Sequence, residues 1–440
     1  MLSSNSGTVE LNYATLTLDN NGLKDLPNRV ASGSLLLRGG TLNYVSNLQT
    51  AAVGSLGAMT LVEGLSNFNI TVPMSLGVNS VDLTLGTLRA LAGSGAMLNF
   101  NAPALGQAGN AARVFLNGGA VPALVNGILP WGVVGGTDFA SFTAYSSLNG
   151  VNTGGLGALN QAGFAGYDAW ATSVADLVGA ATANAKVTAF SGSQTLVSGG
   201  TIFNSLNLVS TTTGTLAFAA DNDVLNLVSG GLLRSGLAAG SIGYGTNNGS
   251  LTAGGTSSAP TSLYVWNNAA GTTLTINSRI VNNPVTGGSV QLVIGGTSAN
   301  SVVLTSGSNN YTGGTVVNGV TLQLGSSGFL PGNSLILNRG TLSQIAGGSL
   351  GISKVVTLNG ASVLTLSGSN TLAALVLNSN GGGAPSAAVG TLSLSGGSLY
   401  AMSSNIAQTS ALASGVIDFG TTGGTVYVSP VMVDRKSTRL

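Results

Sequence analysis

The sequence predicts an all-β chain wound as a parallel β-solenoid, and three observations carry that expectation. Apolar and polar residues alternate over short runs such as Thr321-Leu322-Gln323-Leu324, Ser362-Val363-Leu364-Thr365-Leu366 and Thr391-Leu392-Ser393-Leu394. This is the period-two pattern of half-buried strands. An Asn ends such runs at Asn318, Asn338, Asn359 and Asn378, at intervals of 20, 21 and 19, the length of one short coil in a repeat protein. Charged residues are only 6% of the 440. Equivalent positions in stacked coils lie about 4.8 Å apart, so like charges would repel along a column. Asn, Ser and Thr can instead hydrogen-bond from coil to coil.

The competing architecture is a string of β-sandwiches. Eight Asn-Gly steps (at Asn21, Asn117, Asn126, Asn149, Asn248, Asn318, Asn359 and Asn380) tolerate positive φ and are the strongest short sign of antiparallel hairpins. A repeat as short as the Asn interval favours the solenoid. Collagen is excluded, because the 68 Gly follow no three-residue period.

Residues 1–134 read as N-terminal coils, with strands around Thr15-Leu16-Thr17-Leu18, Leu35-Leu36-Leu37 and Val81-Asp82-Leu83-Thr84-Leu85. Residues 135–190 read as an irregular excursion. Alternation weakens there while Phe139, Phe142, Tyr145, Phe164, Tyr167 and Trp170 gather beside Asp138, Asp168 and Asp176. The expected role of these aromatics is to cover a weak part of the core, and Ala169 to Ala185 is expected to form a short helix. Residues 191–433 read as solenoid again, and residues 434–440, with Arg435, Lys436 and Arg439, as a non-native tail. At about 20–22 residues per coil, some twenty coils would form one rod on the order of 100 Å long, with uncapped ends inviting end-to-end self-association.

Function classes narrow by composition. With no His and no Cys, a Ser-His-Asp triad, an imidazole or thiolate metal site and a disulfide are all excluded. Thirteen basic and twelve acidic residues leave no field to steer nucleic acid. Gly347-Gly348-Ser349-Leu350-Gly351 satisfies G-x-S-x-G, a chance match in a Gly-rich chain with no His to activate the Ser. No catalytic, cofactor-binding or metal residues are therefore expected. The one carboxylate pair of interest, Asp221-Asn222-Asp223, would share one face if it lay in a strand. It is expected to form a turn, since Asp and Asn readily bond their own backbone. Arg234 is the nearest base in sequence.

The segment from Ser306 to Gly325, with Asn310-Tyr311-Thr312-Gly313-Gly314-Thr315 at its centre, resembles the autotransporter-associated β-strand repeat. Gly328-Phe329-Leu330-Pro331-Gly332 and Leu335 to Leu342 are similar to the segment that comes after that repeat, so the likeness covers 306–342. The resemblance implies a right-handed parallel β-helix, exported from a bacterium and displayed at the cell surface or released. It carries over no catalytic residues. Met1 to Gly7 shows neither the basic nor the apolar region of a signal peptide. The apolar stretch 120–136 is broken by Pro122, Asn126, Gly127 and Pro130, too early to span a bilayer. Either the protein is cytosolic or the chain is a fragment of a longer protein, and the basic cluster of Arg435, Lys436 and Arg439 favours the fragment. The expected function is a non-enzymatic structural or adhesive passenger whose partners are host, matrix or polysaccharide surfaces. The alternative is a polysaccharide-cleaving lyase or glycoside hydrolase on the same scaffold, which would need two or more carboxylates across one groove.

Overall fold

The computed structural model describes residues 7–22, 28, 30–47, 51–73, 80–148, 151–332, 334–351, 354–379, 383–403, 409–413, 415–421 and 423–429. The tail at 434–440 and the first six residues lie outside them. The described residues are strands and turns, with two single turns of 3₁₀ helix at Asn117–Gly119 and Val174–Asp176.

Successive windings of the chain stack as parallel strands, an arrangement consistent with a β-solenoid. In the N-terminal stack, Thr8–Asn12, Val30–Arg38, Ala52–Glu63, Val81–Leu85 and Ala112–Leu116 form one parallel sheet. Thr15–Asp19, Thr41–Val45, Leu65–Thr71, Met97–Asn101 and Leu129–Val134 form a second. Alternation along each strand sends one set of side chains inward, and both sheets feed one core that includes Leu37, Leu42, Leu61, Phe68, Leu83 and Phe100. The C-terminal stack runs from Ala169–Ala171 to Thr425–Val428 in one sheet of 21 strands around its own core.

The period inferred from the Asn residues is the winding length of one part only. Thr315 pairs with Leu335, and Leu335 with Val356, steps of 20 and 21 in the numbering. Val355 pairs with Ala374, a step of 19. Elsewhere windings lengthen: Thr15 pairs with Thr41, Leu232 with Val265 and Leu98 with Gly132.

The chain does not form one continuous rod. The antiparallel hairpin Asp138–Leu148 with Val151–Ala158 ends the N-terminal stack, and the C-terminal stack then runs back alongside it. Contacts between the two move steadily in opposite directions. Lys186 meets Asp138, Asn207 meets Thr137, Trp266 meets Pro130, Asn318 meets Gly95 and Asn338 meets Tyr13. The seam holds a third apolar cluster with Met97, Val133, Phe139, Leu233, Trp266 and Val316 at its centre. Strands that enter it lose their alternation because both faces are buried: Met97–Asn101 and Thr315–Asn318 have four consecutive buried positions.

The stretch expected as a helix is a correction. Ala169–Ala171 and Ala180–Thr195 are strands, separated by the 3₁₀ turn, and they pair parallel with the next winding. Gly179 and the β-branched Thr172, Val174, Val178 and Thr182 disfavour helix, and a parallel neighbour supplies the backbone partners instead. The 135–190 excursion is the reversal between the stacks. Of the Asn-Gly steps, Asn126 and Gly127 both have positive φ and close a tight antiparallel turn between Val125 and Ile128. Asn318-Gly319 and Asn359-Gly360 turn corners between windings with φ of 71° and 62° at Gly. Asn149, Gly150 and Asn380 lie outside the described residues.

Candidate functional site

The central residues of the segment 306–342 are packed between neighbouring windings. Tyr311 is fully buried and its hydroxyl pairs with Thr315 Oγ1 at 2.7 Å. Asn309 Oδ1 accepts the backbone N–H of Ile280 at 2.8 Å from one neighbouring winding, while its Nδ2 donates to Phe329 O at 2.8 Å in the other. A Cβ on Gly314, whose φ is 84°, would meet Ser334 Oγ at 2.2 Å, so a side chain there would block the approach of the next winding. The four spaced Asn residues form a ladder. Asn338 Nδ2 donates to Asn318 Oδ1 at 2.9 Å, Asn359 to Asn338 at 2.8 Å and Asn378 to Asn359 at 3.1 Å. The ladder also ties the seam. Tyr13 OH donates to Asn338 Oδ1 at 3.1 Å, and Asn318 Nδ2 donates to Gly95 O at 2.8 Å.

Asp221 and Asp223 occupy a turn, as expected, and do different things there. The buried Asp223 accepts the backbone N–H groups of Gly199 and Ala220, each at 2.9 Å. Its carboxylate is therefore occupied in holding two windings together. Asp221 faces solvent and accepts the backbone N–H of Asn248 at 3.2 Å. Its base is Arg279, whose Nη1 stands 3.2 Å from Asp221 Oδ2 and whose Nη2 donates to the Asp221 carbonyl. Arg234, the nearest base in sequence, is fully buried instead. It donates to Asn267 Oδ1 at 2.6 Å and to Thr272 Oγ1 at 3.0 Å, and desolvation lowers its guanidinium to about 10.

The Asp221–Arg279 pair lines a cavity of about 550 Å³ at the corner of the C-terminal stack. Consecutive windings each contribute a corner: Asp221, then Asn248, then Asn277 with Arg279, then Thr305 and Ser308. Thr305 Oγ1 donates to Asn277 Oδ1 at 2.6 Å. Asn248 Oδ1 is enclosed and accepts no hydrogen bond from the described residues. Tyr244, 66% exposed, stands in the turn that supplies Gly245, Thr246 and Asn248 to the cavity wall. These are donors and acceptors for hydroxyl groups, with one carboxylate and one guanidinium among them. Ser349 of the G-x-S-x-G match lies far along the stack in the two-residue strand Ser349–Leu350.

The aromatic and acidic residues of the reversal are spent on the joint. Phe139 is fully buried in the seam and Phe142 is half-buried against the N-terminal core. The Phe164 ring covers Gly106 and Gly157. Tyr167 OH donates to Asp138 Oδ1 at 2.9 Å and accepts from Asn207 Nδ2 at 2.9 Å. Burial, with the Asp138 charge beside it, raises the Tyr167 hydroxyl well above the ordinary tyrosine range. Lys186 Nζ lies 2.6 Å from Asp138 Oδ1 and over the rings of Tyr167 and Trp170. Asp168 Oδ2 accepts Asn184 N–H at 3.0 Å, and Asp176 sits in the 3₁₀ turn. The side chain of Tyr145 lies outside the described residues.

Arg279 was not singled out in the sequence. Its place follows from register: Ser250 pairs with Arg279 in one adjacent winding and with Val224 in the other, three residues past Asp221. Comparisons with family models, with curated proteins and with solved structures find no match to this chain.

Proposed function

We propose that the chain is a right-handed parallel β-helix that acts without catalysis of its own, as the structural and adhesive passenger of an exported bacterial surface or secreted protein of the autotransporter-associated repeat kind. The observation that supports this reading is where the polar side chains go. Asn309 and the ladder of Asn318, Asn338, Asn359 and Asn378 are buried or half-buried and tie winding to winding, while the buried Tyr311 hydroxyl pairs within its own winding with Thr315. Such a scaffold leaves recognition to its corners, and the cavity at Asp221 and Arg279 is a corner built from hydroxyl-bonding groups. A hydroxyl-rich host, matrix or polysaccharide surface is the partner it fits.

The test is retention of polysaccharides and matrix proteins on the immobilised chain, against a double variant Asp221→Ala and Arg279→Ala with unchanged circular dichroism. Retention that falls at least several-fold in the variant supports the reading. Equal retention by both removes the cavity from it. Release of new reducing ends from any polysaccharide would replace it with the polysaccharide-cleaving alternative. Export is tested separately, by protease access to the chain on intact cells carrying the native gene.

A further inference from the structure

We propose that the groove around Arg339, on the seam between the stacks, is a second binding site that takes a carboxylate-bearing sugar of an acidic polysaccharide. Arg339 borders two cavities at once. One, of about 340 Å³, lies on the C-terminal stack, where Ser301, Thr321 and Thr341 line it. The other, of about 310 Å³, opens between the stacks, where Thr41 and Asn67 come from one and Ser298 from the other. Ala299 and Gly319 border both as well. The two cavities therefore share a wall, and a Cβ on Gly319 would meet nothing within 4 Å, so that wall stays low.

The chain places an arginine here against its own pattern. Asn318, Asn338 and Asn359 pair in register, and the residues that follow them are Gly319, Arg339 and Gly360. All three have positive φ, at 71°, 50° and 62°, a conformation that suits Gly and strains a residue with a side chain. Strain held at one corner of three points to work for the guanidinium. Part of that work is structural: Arg339 Nη2 donates to Tyr13 O, and the guanidinium lies 5.0 Å from the centre of the Tyr13 ring. Its charge is left unanswered. Among the described residues Arg339 enters no ion pair, and Glu63, which the Tyr13 hydroxyl reaches, is taken by Arg38 at 3.4 Å. Burial lowers the Arg339 guanidinium below the ordinary arginine value, so an anion beside it restores the balance.

The lining selects the ligand. Ser301, Thr321 and Thr341 form one outward column through adjacent windings, so their hydroxyls recur about 4.8 Å apart. Asn300, buried on the same wall, has an Oδ1 that accepts no hydrogen bond from the described residues. Such groups bond the hydroxyls of a sugar. Arg339 is the single charged residue among the described lining of either cavity. The part of its planar fork not spent on Tyr13 matches one carboxylate. A neutral glycan would leave that charge unpaired, and a densely sulfated one would bring more anions than the groove has cations. A uronate, with one carboxylate and several hydroxyls on each ring, satisfies both the charge and the column.

This site is separate from the corner at Asp221 and Arg279, and either can fail without the other. The test is calorimetric titration of the full chain with an oligogalacturonate and with the same oligomer after reduction of its carboxylates to alcohols. The acidic oligomer should bind at least about tenfold tighter, the worth of one charge-assisted pair. Arg339→Gly, which copies the residue at the neighbouring corners, and Arg339→Lys, which keeps the charge without the fork, should both lose that preference. Thr321→Val with Thr341→Val leaves the Tyr13 contact intact and should weaken the acidic oligomer several-fold, so the proposal stays open to test even where Arg339→Gly loosens the seam. Asp221→Ala with Arg279→Ala should bind it as the parent does. Failure of the parent chain to bind, equal binding of the reduced oligomer, full binding by Arg339→Lys or by the Thr pair, or loss in the Asp221 and Arg279 variant would each overturn the proposal.

Discussion

Two segments of the C-terminal stack share one core and differ in their corners. Between Thr315 and Asn378 each winding takes 19 to 22 residues, and Asn side chains ride directly above one another. Between Thr201 and Leu304 windings are longer: Leu206 pairs with Leu232, Leu232 with Val265 and Leu263 with Leu292. Inward positions are equally buried in both, as at Leu232, Val265 and Leu292 against Leu322 and Leu342. Turns such as 219–223 and 243–249 separate the strands of the longer windings, and Asp221 in the first of them meets Arg279 of the short strand Arg279–Ile280. Regular spacing therefore marks where the Asn side chains are spent on the stack, and departures from it mark where corner side chains such as Asp221 and Arg279 pair at the surface.

The sharpest way to break the comparison is in the regular segment. Tyr311→Ala should destabilise the chain by about 3–5 kcal/mol in urea denaturation, since it empties a fully buried site. Tyr311→Phe should cost about 1 kcal/mol, the hydroxyl pairing with Thr315 alone. Equal losses for the two would show that the ring fills no space the core needs.

Next in size is the ladder. Asn338→Ala removes the partner of Asn318 Oδ1 and of Asn359 Nδ2 and leaves Tyr13 OH with Glu63 Oε1 at 3.3 Å, and should cost about 2–3 kcal/mol through the buried groups it orphans. Because Tyr13 belongs to the other stack, the same variant should open the seam to limited proteolysis sooner than it unfolds the core.

A smaller effect appears with pH. Lys354 is fully buried and donates to Pro331 O at 2.8 Å and Gly332 O at 2.5 Å. Desolvation lowers its ammonium from 10.5 to about 8. Above pH 8 the folded chain has released a proton that the unfolded chain keeps up to about 10.5, so this group makes stability rise with pH across that window. Tyr13 and Tyr311, pushed up by burial, act in the opposite sense above 10. The melting temperature should therefore climb between pH 8 and about 9.5, and Lys354→Met should flatten that climb.

The smallest effect belongs to the corner. Asp221→Asn should change stability by less than about 1 kcal/mol, as expected of an exposed ion pair. A larger loss would mean that the long turns carry the stack and would erase the distinction between the two segments.

Much of the fold was legible because it is repetitive. Thr321-Leu322-Gln323-Leu324 lies above Thr341-Leu342-Ser343-Gln344 in register, and the sequence shows both the alternation and the spacing. The seam was not legible from any single strand. Val316, Val293 and Leu233 sit at positions that alternation assigns to solvent, and only the second stack turns them into core. The reversal was visible as a gathering of aromatics, but its pairing depends on Asp138, Tyr167 and Lys186 meeting from separate elements. At the corner, Asp221 was visible as half of a carboxylate pair. Arg279 stands 58 residues later and was hidden, because the windings between them do not keep the shorter step that the Asn residues announce.

The fold-back gives assembly of the molecule an order. Lys186 and Asp138 are 48 residues apart in the chain, whereas Asn338 and Tyr13 are 325 apart. Closing the second contact directly would cost about 1.7 kcal/mol more chain entropy than closing the first, at about 0.6 kcal/mol per doubling of loop length. Once the reversal is in place, each new winding of the returning arm lands beside one already laid down. The two arms can then knit together tooth by tooth from the bend, and Tyr13, in the winding farthest from it, is among the last to find its neighbour.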